Sequence, residues 1–371
     1  MPSWTIGHVD SERGFSGGEV QVFLLMEGLR RAGHRVVLFG RAESRCAREA
    51  ERRGFELVPI PMANDLDWRG FAGMARAFRD HHLDLVHLHT GRANWLGGIA
   101  AWRSRIPAVS TRRMDRRVKH NWRTRMVYGR FLQKVVAISP AVRDCLITGG
   151  VEPERIVVIP EAVDPKRLMA TSPPGELRRQ LGADSHDCVL LAVSALVPRK
   201  GIDVLLQAFS QLSANGTQPR LWIAGDGSEK AKLEAQAKEL GIAPQVRFLG
   251  RRDDPADLYA ASDIFVIPSR HEGLGVAALE AMAAGRPIVC SDVGGLAFSV
   301  EHERTGLRVA PEDPTALAVS LQRLMQDPAL RRKLGAEGPR RIAEEFTPDR
   351  MIQAHLDLYA DVLAASTRAR D

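Results

Sequence analysis

Cysteine, tyrosine and lysine are all scarce in this chain. The four cysteines, Cys46, Cys145, Cys188 and Cys290, stand far apart with no Cys-x-x-Cys pair. That spacing excludes a zinc finger and a disulfide framework, and it fits reduced thiols. No run of about 18 apolar residues is present, so no membrane-spanning helix is expected. The opening residues, Met1-Pro2-Ser3-Trp4-Thr5, show no basic segment followed by an apolar one, so no secretory signal is expected there and a cytoplasmic location is. Basic charge is carried almost wholly by arginine, 44 Arg against 8 Lys.

The length, 371 residues, suits two domains. A composition of 44% hydrophobic and 26% charged residues excludes a disordered or collagen-like chain. The net charge of +7 is unevenly placed. Residues 1–165 hold 26 Lys and Arg against 18 Asp and Glu, and residues 166–371 hold 26 against 27. Within the first half, residues 103–134 carry 11 basic residues and one acid, Asp115. Two readings stand for that stretch. It is a patch meeting an anionic membrane surface or a phosphorylated glycolipid, with Trp95, Trp102 and Trp122 suited to an interface. Alternatively it is a solvated helical face in an arginine-biased sequence. The charge by itself does not separate nucleic acid from other anions.

Apolar runs alternate with helical periodicity along both halves. Val22, Leu25, Met26 and Leu29 recur at i, i+3, i+4 and i+7, and Gly33 ends that helix. Strands are read at 4–9, 35–39, 56–60, 83–88, 107–110, 135–138 and 156–159. The turn-rich Thr171-Ser172-Pro173-Pro174-Gly175 reads as a linker. The strand–helix alternation then restarts at Val189 and ends in two helices from Pro328 and Pro348. Strands separated by helices imply parallel sheets covered on both faces, hence two doubly wound α/β domains, Rossmann-like and in tandem. Ligands of such sheets bind beyond the carboxyl ends of the strands, and the crevice between two such domains is the default site.

Four loops at consecutive strand ends of the second half carry the chemistry. After its first strand comes Pro198-Arg199-Lys200-Gly201, suited to phosphate at a helix start. After the second comes Gly225-Asp226-Gly227, permissive backbone. After a later strand comes Ser269-Arg270-His271-Glu272-Gly273-Leu274-Gly275-Val276, opening a helix that holds Glu280. The fourth is Asp292-Val293-Gly294-Gly295. Free N–H groups at a helix head attract an anion such as a diphosphate. Two carboxylates flanking an anion repel it unless they accept hydrogen bonds from hydroxyls beside it, as on sugars.

These residues together resemble the family 4 retaining glycosyltransferases, with the two-domain GT-B fold. Glu272 and Glu280 match the family's Glu-x7-Glu motif, and the likeness runs through Ser269–Pro287, Pro198–Gly201, Gly225–Gly227, Gly294-Gly295 and Thr305–Leu307. In the first half, Ser16-Gly17-Gly18-Glu19 resembles the family's Gly-Gly loop and Gly33-His34 its Gly-His pair. The resemblance implies an acceptor-binding domain over 1–168 and a donor-nucleotide domain over 176–346. A final helix, 347–371, would cross back to the first domain.

The resemblance also implies roles. Glu272 would contact hydroxyls of the transferred sugar, and Glu280 the ribose hydroxyls of a UDP-, GDP- or ADP-sugar. Lys200, with Arg199, would neutralise the leaving diphosphate, and backbone at Gly273, Leu274, Gly275 and Val276 would bind phosphate or sugar. Gly17 and Gly18 would approach the diphosphate, and the base would sit near Gly225, Asp226, Gly227 and Arg251. Glu19, His89 and Arg113 would face the acceptor, a glycan, glycolipid or other anionic molecule. No cofactor, metal or nucleic-acid partner is implied. Synthesis of a bacterial-type glycolipid, lipopolysaccharide or polysaccharide, at the inner face of the cytoplasmic membrane, is the expected setting.

Three positions depart from the family pattern. Ser194 and Ala195 stand where a second diphosphate Arg is usual. Arg113 stands where a His is usual, and Phe298 replaces a Glu. Rival readings are a non-catalytic or hydrolytic sugar-nucleotide binder and a sugar-nucleotide epimerase, the latter opposed by the Glu-x7-Glu loop. A dinucleotide dehydrogenase lacks its Gly-x-Gly-x-x-Gly at Ser16–Glu19. Asp65-Leu66-Asp67 reads as acids at a helix start.

Overall fold

A computed structural model describes residues 3–14, 16–213 and 218–368. Contacts divide the chain into two units, residues 1–161 with 348–371, and residues 162–347.

In the first unit the order is β1 (Thr5–Val9), α1 (Gly17–Arg31), β2 (Arg35–Gly40), α2 (Arg45–Arg52), β3 (Glu56–Pro59), α3 (Trp68–Asp80) and β4 (Leu85–Leu88). Then follow α4 (Gly91–Ser104), β5 (Ala108–Arg112), α5 (Trp122–Met126), β6 (Lys134–Ala137), α6 (Pro140–Thr148) and β7 (Ile156–Val158). The seven strands form one parallel sheet in the order β3-β2-β1-β4-β5-β6-β7. Ile6 of β1 pairs with Val36 on one side and Leu85 on the other. Helices cover both faces, so β4 is buried at every position, which is why it reads as an apolar run.

The second unit runs α7 (Pro174–Gln180), β8 (Cys188–Val193), α8 (Ile202–Ser210), β9 (Pro219–Ala224), α9 (Lys230–Glu239), β10 (Val246–Gly250), α10 (Pro255–Ala261) and β11 (Ile264–Ile267). It continues with α11 (Val276–Ala283), β12 (Ile288–Ser291), α12 (Leu296–Ser299), β13 (Gly306–Val309), α13 (Pro314–Gln326) and α14 (Pro328–Glu345). Its six-stranded parallel sheet has the order β10-β9-β8-β11-β12-β13. Leu190, Leu205, Leu221, Ile264, Leu321 and Leu334 meet in its core, all fully buried.

The last helix, α15 (Pro348–Arg368), packs within the first unit against α1. Gly28 permits that contact, because a Cβ there would stand 2.1 Å from Ile352 Cδ1. Tyr359 of α15 is fully buried.

The turn-rich stretch read as a linker is not one throughout. The backbone N–H groups of Thr171 and Ser172 donate to Asp257 of α10 at 2.6 and 3.2 Å, and α7 starts at Pro174. Proline at the first helical positions lacks only an N–H that would be unsatisfied anyway. The division between the units falls at Glu161/Ala162, ahead of that stretch. Four helices went unread in the sequence, α5, α6, α7 and α12. All are short, and α5 with the π-helical turn Val127–Phe131 is arginine-rich, so they offer too few turns for an apolar period to show.

Candidate functional site

The second unit's sheet order reverses between β8 and β11, and loops leaving a sheet at such a switch point diverge to leave a crevice. The loops after β8 and β11 carry Lys200 and Glu272. Backbone hydrogen bonds tie the four loops to one another. Leu196 N donates to Asp226 O at 2.9 Å, Arg270 N to Arg199 O at 2.8 Å, Gly295 N to Glu272 O at 2.8 Å, and Gly225 N to Gly250 O at 2.7 Å. Gly225 sits at φ +146°, and a Cβ there would stand 1.8 Å from Ser194 O, so only glycine lets these two loops touch.

Lys200, at the end of a short 3₁₀ turn, donates to Glu272 Oε2. Ser269 Oγ donates to the same oxygen at 3.2 Å. Both side chains of the Lys200–Glu272 pair are only 12% exposed. Arg199 has no carboxylate partner among the described residues, so its charge is uncompensated beside Lys200. The loops are also clamped by Arg270, whose guanidinium bonds both oxygens of Asp203 at 2.9 and 2.7 Å, Pro198 O at 2.6 Å and Glu312 at 2.9 Å. Those partners raise the Arg270 pKa and lower that of Asp203.

Helix α11 begins after Gly275, at φ +85° and with no side-chain cap. Its first N–H groups therefore lack the usual capping oxygen and are available to an anion. Gly273 and Leu274 are buried. One turn on, Glu280 accepts from the Tyr259 hydroxyl at 2.8 Å. Burial raises the Glu280 pKa, with the Tyr259 hydrogen bond pulling the other way. Asp226 and Gly227 are exposed, Asp226 Oδ1 accepting from Gly227 N at 2.9 Å. Arg251 is exposed just beyond β10. Phe298, where the family pattern has Glu, lies on α12, and its carbonyl accepts from the buried Arg341 at 2.8 Å.

In the first unit, Gly17 and Gly18 open α1. Glu19 turns back on its own helix start, accepting from Ser16 N at 2.6 Å and Ser16 Oγ at 2.7 Å. The pair forms a capping box at the start of α1, so Glu19 serves its own helix and is not turned toward an acceptor. Arg113 pairs with buried Glu161 at 2.5 Å and donates to His89 O at 3.4 Å. His89 is buried, with Nε2 2.9 Å from His8 Nδ1. His87, which pairs with His8 across β1 and β4, bonds the Tyr359 hydroxyl at 2.6 Å and Thr111 Oγ1 at 2.7 Å. The ring nitrogens of His8, His87 and His89 lie within 4.8 Å of one another, near enough for an ion, but both nitrogens of His87 are already engaged. Burial lowers the pKa of all three. The Asp-x-Asp acids are structural: Asp67 caps α3 by accepting from Gly70 N at 2.9 Å, and Asp65 pairs with Arg123 at 2.7 Å.

Sequence reasoning missed Ser269, Tyr259, Arg270 and Asp203 as supports of the site. Ser269 was readable from its place three residues before Glu272. Tyr259 was not, since 21 positions separate it from Glu280.

Known proteins share the sequence pattern and fold of both units. The family described as Glycosyl transferases group 1 matches residues 175–341, and Glycosyltransferase Family 4 matches residues 15–167. A D-inositol 3-phosphate glycosyltransferase from Rhodococcus opacus (strain B4) is 33% identical over 321 residues, covering 78% of this chain and 70% of that one. The lipopolysaccharide core biosynthesis glycosyltransferase LpsD from Rhizobium meliloti (strain 1021) is 34% identical over 186 residues, 50% of this chain and 53% of that one. Among solved structures, Anabaena HepE in complex with UDP-glucose superposes with a TM-score of 0.85 at 25% identity, over 98% of this chain and 100% of that one. With both units matched and such identity sustained over most of its length, the chain belongs to the family 4 glycosyltransferases and has their GT-B fold of two Rossmann-like domains.

Proposed function

We propose that this glycosyltransferase moves a hexosyl- or heptosyl-type sugar from UDP-sugar to a hydroxyl of an anionic acceptor, with retention at the anomeric carbon. The second unit holds the donor and the first unit the acceptor. The observation that carries the donor half is the Lys200–Glu272 pair, set at the switch point beside the uncapped head of α11. As the glycosidic bond breaks, negative charge grows on the diphosphate, and stabilising it is the protein's main task. Lys200, Arg199 and the α11 N–H groups do this, Lys200 exchanging part of its hold on Glu272 for a phosphate oxygen. Glu272 then accepts hydrogen bonds from sugar hydroxyls, and Glu280, steadied by Tyr259, from the ribose. Gly17 leaves open space at the head of α1, with nothing within 4 Å of a Cβ there. UDP is favoured over GDP and ADP by the likeness to the UDP-glucose complex of HepE.

The setting we propose is glycolipid or lipopolysaccharide synthesis at an anionic membrane face. The likeness to LpsD supports it, as do two exposed tryptophans, Trp102 just before the basic stretch 103–134 and Trp122 within it. Among the described residues no helix is long and apolar enough to cross a membrane, so contact with lipid would be peripheral. Incubation with UDP-, GDP- and ADP-sugars tests the donor reading: release of UDP alone supports it, and release of GDP or ADP instead rejects it.

A further inference from the structure

At the head of α11, Gly275 holds a buried backbone N–H that has no hydrogen-bond partner among the described residues. A buried N–H without a partner is rare and costly, so its presence here points to a ligand. Its direction is set by the other end of the same peptide unit. In a planar trans peptide the C=O and N–H point opposite ways, so the Gly275 N–H turns away from wherever the Leu274 carbonyl is held. That carbonyl accepts from the Ser299 hydroxyl at 2.9 Å. Both residues are buried, Ser299 fully.

Ser299 is itself held from several sides. It ends α12, whose Leu296 lies against the loop: a Cβ at Gly275 would stand 2.6 Å from Leu296 Cδ2. Gly295, just before α12, donates to Glu272 O at 2.8 Å. The buried Arg341 of α14 donates to the carbonyls of Ser299 and Phe298 at 3.1 and 2.8 Å. The Ser299 hydroxyl is thus fixed against one carbonyl, Leu274 O, which has no other partner among the described residues. Without that hydroxyl the peptide is free to turn over, because the residue after it is a glycine at φ +85° and resists rotation little.

We propose that Ser299 is a positioning residue for the diphosphate: its hydroxyl holds the 274–275 peptide in the orientation that presents the Gly275 N–H to the leaving group. A donor fixed in advance needs no reorganisation as negative charge grows on the phosphate, so it favours bond breaking more than ground-state binding. Ser299 touches no substrate and acts through Leu274. The proposal rests on reading the head of α11 as the diphosphate site.

Calorimetric titrations of the full chain with UDP and with uridine test it, together with nuclear magnetic resonance spectra of the chain labelled at glycine nitrogen. In Ser299→Ala, UDP should bind about tenfold more weakly while uridine binds as before. The Gly275 amide resonance should move when UDP binds the parent chain and stay still in Ser299→Ala. Undiminished UDP binding in Ser299→Ala, an equal loss for UDP and uridine, or a Gly275 resonance that ignores UDP in the parent would each overturn the proposal and leave the donor reading standing. The last of these needs no variant, so it decides the matter even if a substitution at this buried position fails to fold. A parent chain that binds none of UDP, GDP and ADP would instead bring down the donor reading and this proposal together.

Discussion

Lys200 and Glu272, 72 positions apart, share a hydrogen-bonded ion pair at the point where the second unit's sheet reverses direction. A pair so nearly excluded from water is poised to be reorganised by a ligand. Glu272→Ala should abolish transfer, lowering kcat by at least about 10²-fold, as loss of a transition-state contact does. It also strands Lys200, so a stability loss of about 1–3 kcal/mol is expected, less than for a fully buried pair. Circular dichroism should still show a folded chain. Full activity in this variant would remove Glu272 from the site.

Nucleotide binding is expected to stabilise the chain. At a hundredfold excess over its dissociation constant, UDP should add about 2.7 kcal/mol, read as a higher melting temperature. Lys200→Ala should shrink that shift, and Arg199→Ala should shrink it further in combination. A shift that survives loss of both cations would place the diphosphate elsewhere.

Tyr259→Phe probes the support beneath Glu280. Losing a hydrogen bond to a buried carboxyl should cost about 1–2 kcal/mol, and the donor KM should rise more than kcat falls. The sign of the pH effect follows from burial. Glu280 holds its proton in the folded chain to a higher pH than when unfolded, so it makes stability fall as pH rises from 4.5 to its raised folded pKa. Tyr259→Phe removes the influence that lowers this pKa and should widen that window upward. Urea melts at pH 4.5, 5.5 and 6.5 would show it, and an unchanged pH profile would mean that Tyr259 does not touch Glu280.

The histidine cluster makes the opposite slope. His8 is lowered to about 3 and His355 to about 4 by burial, and His87 and His89 are lowered too. All four stay neutral in the folded chain while the unfolded chain takes up protons below pH 6.5. Stability is therefore lost as pH falls from 6.5 toward those values, by about 1.4 kcal/mol per pH unit for each histidine fully in the window. Asp10, raised to about 7 by burial, opposes one of them in this range. Net uptake of more than one proton on unfolding at pH 5 is expected from the pH dependence of urea melts. Uptake of none would show that water reaches these rings.

The basic stretch should bind vesicles containing anionic lipid, and binding should weaken as salt rises from 0.05 to about 0.5 M, because screening shortens the reach of exposed charges. Arg123 and Arg130 lie over the rings of Trp95 and Trp102 at 4.6 and 4.8 Å, so charge and aromatic surface are presented together. Salt-independent binding, or none, would favour a merely solvated face.

Where a boundary is set by local chemistry, it was legible along the chain. Strands β2, β3 and β7 begin at the residues read from the sequence, and α14 and α15 begin at Pro328 and Pro348 as expected, because a turn between apolar runs or a proline at the helix start marks each edge. Helix α7 hid inside a proline-rich turn signal, and the arginines around α5 masked its few apolar positions. The Glu-x7-Glu loop was legible for the same local reason: strand, glycine loop and helix start follow one another within twenty residues.

Local pattern thus determined two parallel α/β units, the loop family that carries Glu272, Glu280 and Lys200, and an excess of positive charge in the first half. Only the tertiary structure decided which groups answer one another. It set Lys200 against Glu272, Tyr259 beneath Glu280 and His87 against Tyr359. Most of these partners lie tens of residues apart, and parallel strands joined by crossover helices bring their carboxyl ends together whatever lies between them in the chain.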